Sequence, residues 1–162
     1  MFRRSISMFV VPALLLLAMP GLASARNATK SHKVNVSGYI DTVTSTGATG
    51  VPGTRETDAG IFAGTISGKS TKGAFYQNST WGSGLMLTAN GVVFDPSGSI
   101  RVKLSAKFVA GSGGTFSYSG TVTATGGTGV YKNVHGTAST SGTTLTSDPD
   151  AATFNVTGTF KY

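Results

Sequence analysis

The sequence predicts an all-β fold, a single antiparallel β-barrel of about eight strands, with a β-sandwich as the alternative. Three observations support this prediction. Gly, Ser and Thr are frequent, with 23 Gly in 162 residues, while residues that favour helices are scarce. Apolar and polar residues alternate with period two in several windows, and no window of about 11 residues carries a helical stripe. Turn sequences separate these windows at short intervals.

The first 25 residues have the pattern of an export signal. Arg3 and Arg4 precede an apolar run over residues 8–19, and the Ala-Ser-Ala triplet at 23–25 matches a cleavage site. The run is too short to span a bilayer. We therefore expect a secreted protein, extracellular or periplasmic, without a membrane span after cleavage. The expected organisation is a signal peptide at 1–25, a flexible leader at 26–33 and one β-barrel domain at 34–162.

Three strands are predicted in the first half of the mature chain, at residues 34–46, 57–67 and 71–80. Segment 47–55 is rich in Gly and Pro and is predicted to be a mobile loop. Asn90 and Gly91 lie between two apolar runs and predict a two-residue hairpin turn.

Period-two alternation is clearest in the second half of the chain. The strand predicted at 99–109 has an apolar face and a basic face, and the strands predicted at 115–125 and 153–162 alternate apolar residues with Ser or Thr. In the first of these strands the expected inward residues are Val102, Leu104, Ala106 and Phe108, and the expected outward residues are Arg101, Lys103, Ser105 and Lys107.

Turn sequences at 95–98, 111–114 and 147–150 connect these strands. A barrel is favoured over a sandwich because closure removes unprotected strand edges, and because glycines within strands suit the tight bends of a small barrel. These glycines are Gly38, Gly64, Gly84, Gly120 and Gly158.

The composition excludes several classes of site. Without Cys the chain has no disulfide scaffold and no thiolate site, and two His with six acidic residues make metal and acid–base centres hard to assemble. We therefore expect no metal and no cofactor. The chain is basic, with a formal net charge of +7, but Arg26, Lys30 and Lys33 cluster in the short leader and not in a stripe interleaved with aromatic residues. Nucleic-acid binding is not expected.

Few acidic residues or histidines are placed for catalysis. Glu56 and Asp58 lie on one side of a predicted strand, beside the predicted loop, and a solvated role is expected for both. A hydrolase is disfavoured because a carboxylate pair for hydrolysis must face across a cleft. Surface or structural roles are likewise expected for Asp148 and Asp150 in a turn, for His135 in a turn and for His32 in the leader.

Aromatic residues are the more informative candidates for a site. If their rings point into a barrel lumen, they would pack on a small apolar guest while hydroxyl groups orient it. The alternative is that these rings fill the barrel completely. The candidates for the lumen are Tyr76, Trp81, Phe108, Phe116 and Tyr118, and Tyr131 is a further aromatic residue of interest.

The segment GGTGVYKNVHG at residues 126–136 lies between two predicted strands, and the chain ends in the strand FNVTGTFKY at 154–162. Together these motifs resemble the C-terminal half of the dirigent and allene oxide cyclase families. The resemblance covers about 35 to 60 residues and is weak over residues 34–55. The structural turn glycines that it assigns are Gly126, Gly127, Gly129 and Gly136.

The resemblance implies an eight-stranded barrel with a lumen, assembly into a homotrimer, and cyclisation or coupling of small molecules without a cofactor. No catalytic residue is carried over, because the first strand contains Asn35 and Asp41 but lacks the family's Glu. Two hypotheses follow. The first is an exported barrel that binds a small apolar or phenolic molecule, with any isomerase or cyclase activity arising from orientation and desolvation. The second is a secreted structural or polysaccharide-binding module without catalysis, suggested by Thr- and Ser-rich strand faces.

Overall fold

A computed structural model describes residues 29–145 and 147–162 of the chain. The expected signal peptide and residues 26–28 of the expected leader lie outside these ranges. Eight antiparallel strands form one closed barrel in which each strand pairs with its neighbours in sequence. The strands are β1 (Ser31–Ser45), β2 (Arg55–Ile66), β3 (Lys69–Gly82), β4 (Met86–Asp95), β5 (Gly98–Ala110), β6 (Phe116–Gly127), β7 (His135–Leu145) and β8 (Asp148–Lys161).

Pairing between the first and last strands closes the barrel. β1 pairs with β2 on one side and with β8 on the other, with Val36 opposite Gly64 and Val156. The predicted eight-stranded barrel is therefore confirmed, and the sandwich alternative is wrong. Closure leaves neither β1 nor β8 with an unpaired edge over this register.

Strand boundaries differ from the predictions at several points. β1 begins at Ser31, inside the expected leader, because residues 31–33 pair with the end of β8. β8 begins at Asp148, so the turn predicted at 147–150 lies mostly within a strand. Long-range pairing extends both strands beyond the windows in which alternation is visible in the sequence.

The hairpin turn predicted at Asn90 and Gly91 is wrong. Both residues lie inside β4, where Asn90 pairs with Asn78 and Gly91 pairs with Gln77. The type I′ turn expected there requires positive φ at both central residues, and neither residue has it. The turn between β3 and β4 is instead a 3₁₀ segment, Ser83–Leu85, so Gly84 lies in a turn and not within a strand.

The basic strand is oriented as predicted. Ala106 and Phe108 of β5 are buried, while Arg101, Lys103 and Lys107 are exposed on the outer surface. The alternation predicted for β6 and β8 is visible in the same way, since Tyr118 and Phe160 are less exposed than the residues on either side of them. Alternation was therefore a reliable guide wherever one face is apolar and the other hydrophilic.

Large inward side chains lie beside inward glycines on neighbouring strands. Phe62 of β2 is directly opposite Gly38 of β1 and Gly73 of β3. Phe75 of β3 is opposite Gly60 of β2. A Cβ atom added to Gly60 would lie 2.6 Å from the Phe75 ring, and one added to Gly73 would lie 2.7 Å from the Phe62 ring. Each ring occupies the space that the missing side chain leaves.

One end of the barrel, called the base below, is filled by the segment 128–134 that connects β6 to β7. Tyr131 and Val134 of this segment are only 3% and 2% exposed. The Tyr131 hydroxyl donates a hydrogen bond to Asp95, and Tyr162 stacks on His32 with ring centroids 3.8 Å apart. The opposite end, called the top, carries the connection 46–54 between β1 and β2.

Replacing Gly60 by Ala should destabilise the barrel by about 1–3 kcal/mol or more, because the new methyl group overlaps the Phe75 ring and the Tyr39 carbonyl oxygen. Gly82→Ala is the matched control, since a Cβ atom there meets its nearest neighbour at 3.6 Å. Urea unfolding of the two variants measures the difference. Equal midpoints for the two variants would show that the glycine–ring contact does not constrain the interior.

Candidate functional site

The barrel encloses a cavity of about 170 Å³ that runs from the packed base towards the top. Its basal walls are apolar apart from the hydrogen-bonded pair Tyr131 and Asp95, and its upper walls carry polar and acidic side chains. The lumen is therefore not packed solid, in contrast to the alternative that the sequence left open. The apolar walls include Val36, Phe62, Phe75, Val93, Ile100, Val102, Val122, Phe154 and Val156, and the polar upper walls include Thr42, Thr49, Glu56, Asp58, Gln77, Thr140, Thr144 and Asp150.

Three of the five aromatic residues expected in the lumen line the cavity together. The Trp81 and Phe108 rings meet edge to face with centroids 4.7 Å apart, and Phe108 stacks on Tyr118 at 4.8 Å. Phe116 packs against the same cluster but does not line the cavity. These rings form an aromatic wall, defined here as Trp81, Phe108 and Tyr118.

Tyr76 does not point into the lumen, and that prediction is wrong. Its side chain is 45% exposed on the outer surface, where it stacks on Phe94 at 6.1 Å. In β3 the inward positions are odd-numbered, from Phe75 to Trp81, because side chains alternate along a strand. Tyr76 and Trp81 are five residues apart, so a regular strand cannot turn both inward. Strand parity in the sequence was enough to separate them.

Two carboxylates expected to be solvated are instead buried in the cavity wall. Glu56 is 5% exposed and Asp58 is 4% exposed, on adjacent inward positions of β2. The predicted strand began at residue 57 and left Glu56 beside the loop, whereas β2 begins at Arg55 and contains both carboxylates. Asp58 shares its parity with Phe62 in the same strand, and that parity was the available signal for an inward carboxylate.

Three side chains donate hydrogen bonds to the Asp58 carboxylate. Gln77 Nε2 lies 3.1 Å from Oδ2, and Ser79 Oγ lies 3.0 Å from the same oxygen. Thr42 Oγ1 donates to Oδ1 at 3.1 Å. The donors come from β1 and β3, the two strands that flank β2, so the sheet itself positions them. These donors satisfy a carboxylate as a hydrogen-bond acceptor.

Glu56 is contacted from the connection 46–54 at the top of the barrel. Thr49 Oγ1 lies 3.1 Å from Glu56 Oε1 and 3.2 Å from Asp150 Oδ1 of β8. A hydroxyl carries one proton and therefore donates to only one of these carboxylates at a time. The connection itself is anchored by backbone hydrogen bonds between Gly53 and Trp81 and between Trp81 and Thr54.

The indole N–H of Trp81 is a buried donor without a hydrogen-bond partner among the residues that the structure describes. The ring is 3% exposed and lines the cavity. The indole lies near enough to Glu56 to act on the pKa of its carboxyl, but it forms no hydrogen bond of ordinary geometry with it. A buried donor left unpaired costs free energy, so an acceptor from a bound molecule would be stabilising here.

Burial raises the pKa values of both carboxyls. Desolvation is the largest cause for Glu56, the nearby Trp81 and Thr49 groups oppose it, and the negative charges of Asp58 and Asp150 add to it. Desolvation is also the largest cause for Asp58, opposed by the donors Gln77, Ser79 and Thr42. Burial likewise raises the pKa of the Tyr118 hydroxyl, to about 12. Tyr118 therefore stays protonated at neutral pH and donates to the Thr153 carbonyl oxygen at 3.3 Å.

The remaining predicted residues lie away from the cavity's polar end. Of the four turn glycines, Gly129 lies in the connection itself, with φ of 60°, while Gly126 and Gly127 belong to β6 and Gly136 to β7. His135 is exposed at the start of β7. Within the two described ranges, no group of three His, Cys, Asp or Glu side chains is arranged to hold a metal ion.

The chain matches no family model, no curated protein and no solved structure. In the part of the chain that the structure covers, no helix has the length and apolar character needed to cross a membrane.

Because the pKa values of Glu56 and Asp58 are raised by folding, the folded protein binds more protons than the unfolded chain around these values. Their contribution to stability is present below the unfolded pKa values, near pH 4, and is lost as pH rises through the folded values. As the pH rises from about 4 to about 7, the free energy of unfolding should therefore fall less for the double variant Glu56→Gln, Asp58→Asn than for wild type. Urea unfolding across this range tests the expectation, and parallel curves would contradict it.

Proposed function

We propose that the barrel binds a small, largely apolar or phenolic molecule in its lumen. The cavity of about 170 Å³ is the observation that carries the proposal, because it is lined on its basal side by Val, Ile and Phe side chains. Binding to an apolar cavity of this kind is favourable when a ligand of matching size replaces empty space or poorly bound water.

The volume sets the size of the ligand. An apolar cavity of about 150 Å³ accommodates one benzene, while sites for drug-sized ligands enclose about 300–1,000 Å³. The barrel cavity falls near the first value. A molecule with a single ring therefore fits better than a long-chain lipid.

The polar end of the cavity would orient such a ligand. The apolar part packs against the basal walls, and a polar group reaches the unpaired Trp81 N–H and the carboxylates of Glu56 and Asp58. A phenol hydroxyl suits this environment because it both accepts from an indole N–H and donates to a carboxylate.

We infer further that the protein works without a cofactor, in the manner that the dirigent and allene oxide cyclase resemblance implies. A lumen of this size holds one molecule in a restricted orientation, which favours an intramolecular step such as cyclisation. Hydrolysis between two carboxylates is not supported, because Glu56 and Asp58 are two residues apart on one strand and share one wall.

Filling part of the cavity should weaken binding. Val122 of β6 lines the lumen, and Val122→Phe would occupy part of the space that a ligand needs. Thr121→Phe adds a similar ring at the neighbouring outward position and is the matched control. Trp81 is the single tryptophan, so its fluorescence reports binding of phenol, p-cresol and toluene directly. We expect Val122→Phe to weaken binding at least about tenfold with an unchanged or raised melting temperature.

Two results would contradict the lumenal site. One is equal affinity of the two variants for p-cresol, and the other is no change in Trp81 fluorescence with any ligand of the panel.

We also propose that the chain is exported and cleaved after Ala25. The export pattern of residues 1–25 supports this, and the barrel then begins five residues after Arg26, at Ser31. Expression of the full chain in a bacterium, followed by N-terminal sequencing of the protein in the periplasm and medium, tests it. Arg26 is the expected first residue, and an intact N-terminus in the cytoplasm would contradict the proposal.

A second candidate function rests on the outer face of β6, β7 and β8. Ser and Thr side chains form exposed cross-strand rows there, with Thr121 beside Ser139 and Ser139 beside Thr157. Rows of hydroxyl groups suit contact with polysaccharide or another hydroxyl-rich surface. Sedimentation with insoluble cellulose and chitin tests this function. Wild type should sediment with the polysaccharide, while Ser139→Lys should remain in solution. If wild type does not sediment, these rows have no role in binding polysaccharide.

A further inference from the structure

The acidic residues of the chain are concentrated at the cavity. Four of the six, Glu56, Asp58, Asp95 and Asp150, are among the residues that line it. The lining residues include no Lys, Arg or His within the described ranges, although the chain as a whole is basic. The lumen is therefore an acidic compartment inside a positively charged protein.

The upper carboxyl groups differ in the number of hydrogen-bond donors that reach them. Gln77, Ser79 and Thr42 all donate to Asp58, as a charged carboxylate requires. Glu56 and Asp150 share the single proton of the Thr49 hydroxyl. This end of the cavity consequently has more carboxyl oxygens than hydrogen-bond donors to satisfy them.

The charged groups around Glu56 are also all acidic. Asp58 and Asp150 are the charged groups that act on its carboxyl, and both are acidic. The other titratable groups facing the cavity are Asp95 and Tyr131 at the base and Tyr118 on β6, none of which carries a positive charge. Buried carboxylates without a basic partner are costly, and a cation brought in by a ligand would relieve that cost.

The aromatic wall provides a second attraction for a cation. Trp81, Phe108 and Tyr118 line the same cavity, with successive ring centroids 4.7 and 4.8 Å apart. Aromatic faces attract ammonium groups, Trp most strongly, and more so when water is excluded. The unpaired Trp81 N–H is a separate feature of the same wall and would take an oxygen acceptor of the ligand.

We propose that the physiological ligand is a small organic amine whose ammonium group binds between Glu56, Asp58 and the aromatic wall, with its apolar body towards the base. This inference rests on the proposed lumenal binding and adds the charge of the ligand. A ligand with an oxygen near the ammonium group, such as an aryl amino alcohol, also pairs the Trp81 N–H. A bare metal ion suits the site less, since the described residues contain no cluster of three candidate ligands.

Three probes with the same phenyl body and different head groups test the charge: 2-phenylethylamine, 2-phenylethanol and phenylacetate. Titration calorimetry and Trp81 fluorescence on the purified protein at pH 7 provide the affinities. We expect the amine to bind at least about tenfold more tightly than the alcohol, because a hydrogen bond between charged groups contributes more than one between neutral groups. Phenylacetate should bind weakest of the three, because the carboxylates repel it.

The variant Glu56→Gln keeps the shape of the side chain and removes its charge. We expect it to lose most of the preference for the amine, because the affinity for the amine falls much more than the affinity for 2-phenylethanol, and the remaining binding of the alcohol shows that the cavity is intact. Asp41→Asn is the matched control, because Asp41 is an exposed carboxylate on the outer face of β1. This control should keep the full preference.

Each outcome decides between the two proposals. Equal affinity for amine and alcohol, or an amine preference that survives Glu56→Gln, would overturn the charge inference and leave lumenal binding standing. Failure of all three probes to bind would overturn both. Displacement of 2-phenylethylamine by calcium or magnesium ions at equal concentration would assign the carboxylates to an inorganic cation and overturn the inference as well.

Discussion

The interior volume of a closed eight-stranded barrel is the constraint on which the rest of this structure depends. A ring of eight strands leaves room for only a few large side chains at each level. The chain fits within this volume by placing aromatic rings next to glycines on the neighbouring strands. Phe62, for example, lies between Gly38 and Gly73. Segment 128–134 fills the end of the barrel at the base, and above it a cavity remains between the apolar basal walls and the polar residues Glu56, Asp58 and Gln77.

This distribution divides the lumen into two chemical environments. The basal part is mostly apolar, with Asp95 and Tyr131 hydrogen-bonded to each other, whereas the upper part concentrates carboxylates in a medium of low polarity. The same burial that raises the pKa values of Glu56 and Asp58 makes their interactions with any guest stronger than they would be in water. The donors on β1 and β3 hold Asp58 in place before a guest arrives, which lowers the entropic cost of binding.

The sequence was sufficient to predict the fold but only part of the site. β5 and β6 were recognisable because their two faces differ sharply, with Leu104 alternating with Lys103. The turn predicted at Asn90 and Gly91 was wrong, because the pairing of β4 with both neighbouring strands overrides the local preference for a turn. The burial of Glu56 could not be predicted, because Thr49, whose hydroxyl contacts it, is in a connection whose path the sequence does not determine.

Closure of the barrel by β1 and β8 also shapes how the protein reaches its folded state. The two strands are joined by pairs such as Ser31 with Lys161, and Lys30 and Tyr162 exchange backbone hydrogen bonds beyond them. Contacts between residues so far apart in the chain are slow to form, because a large loop must close before they contribute any stability. Until the last strand arrives, β1 and β7 are open edges on which a second molecule could pair. Aggregation during refolding is therefore the main kinetic hazard for this topology, and it disappears once β1 and β8 have paired.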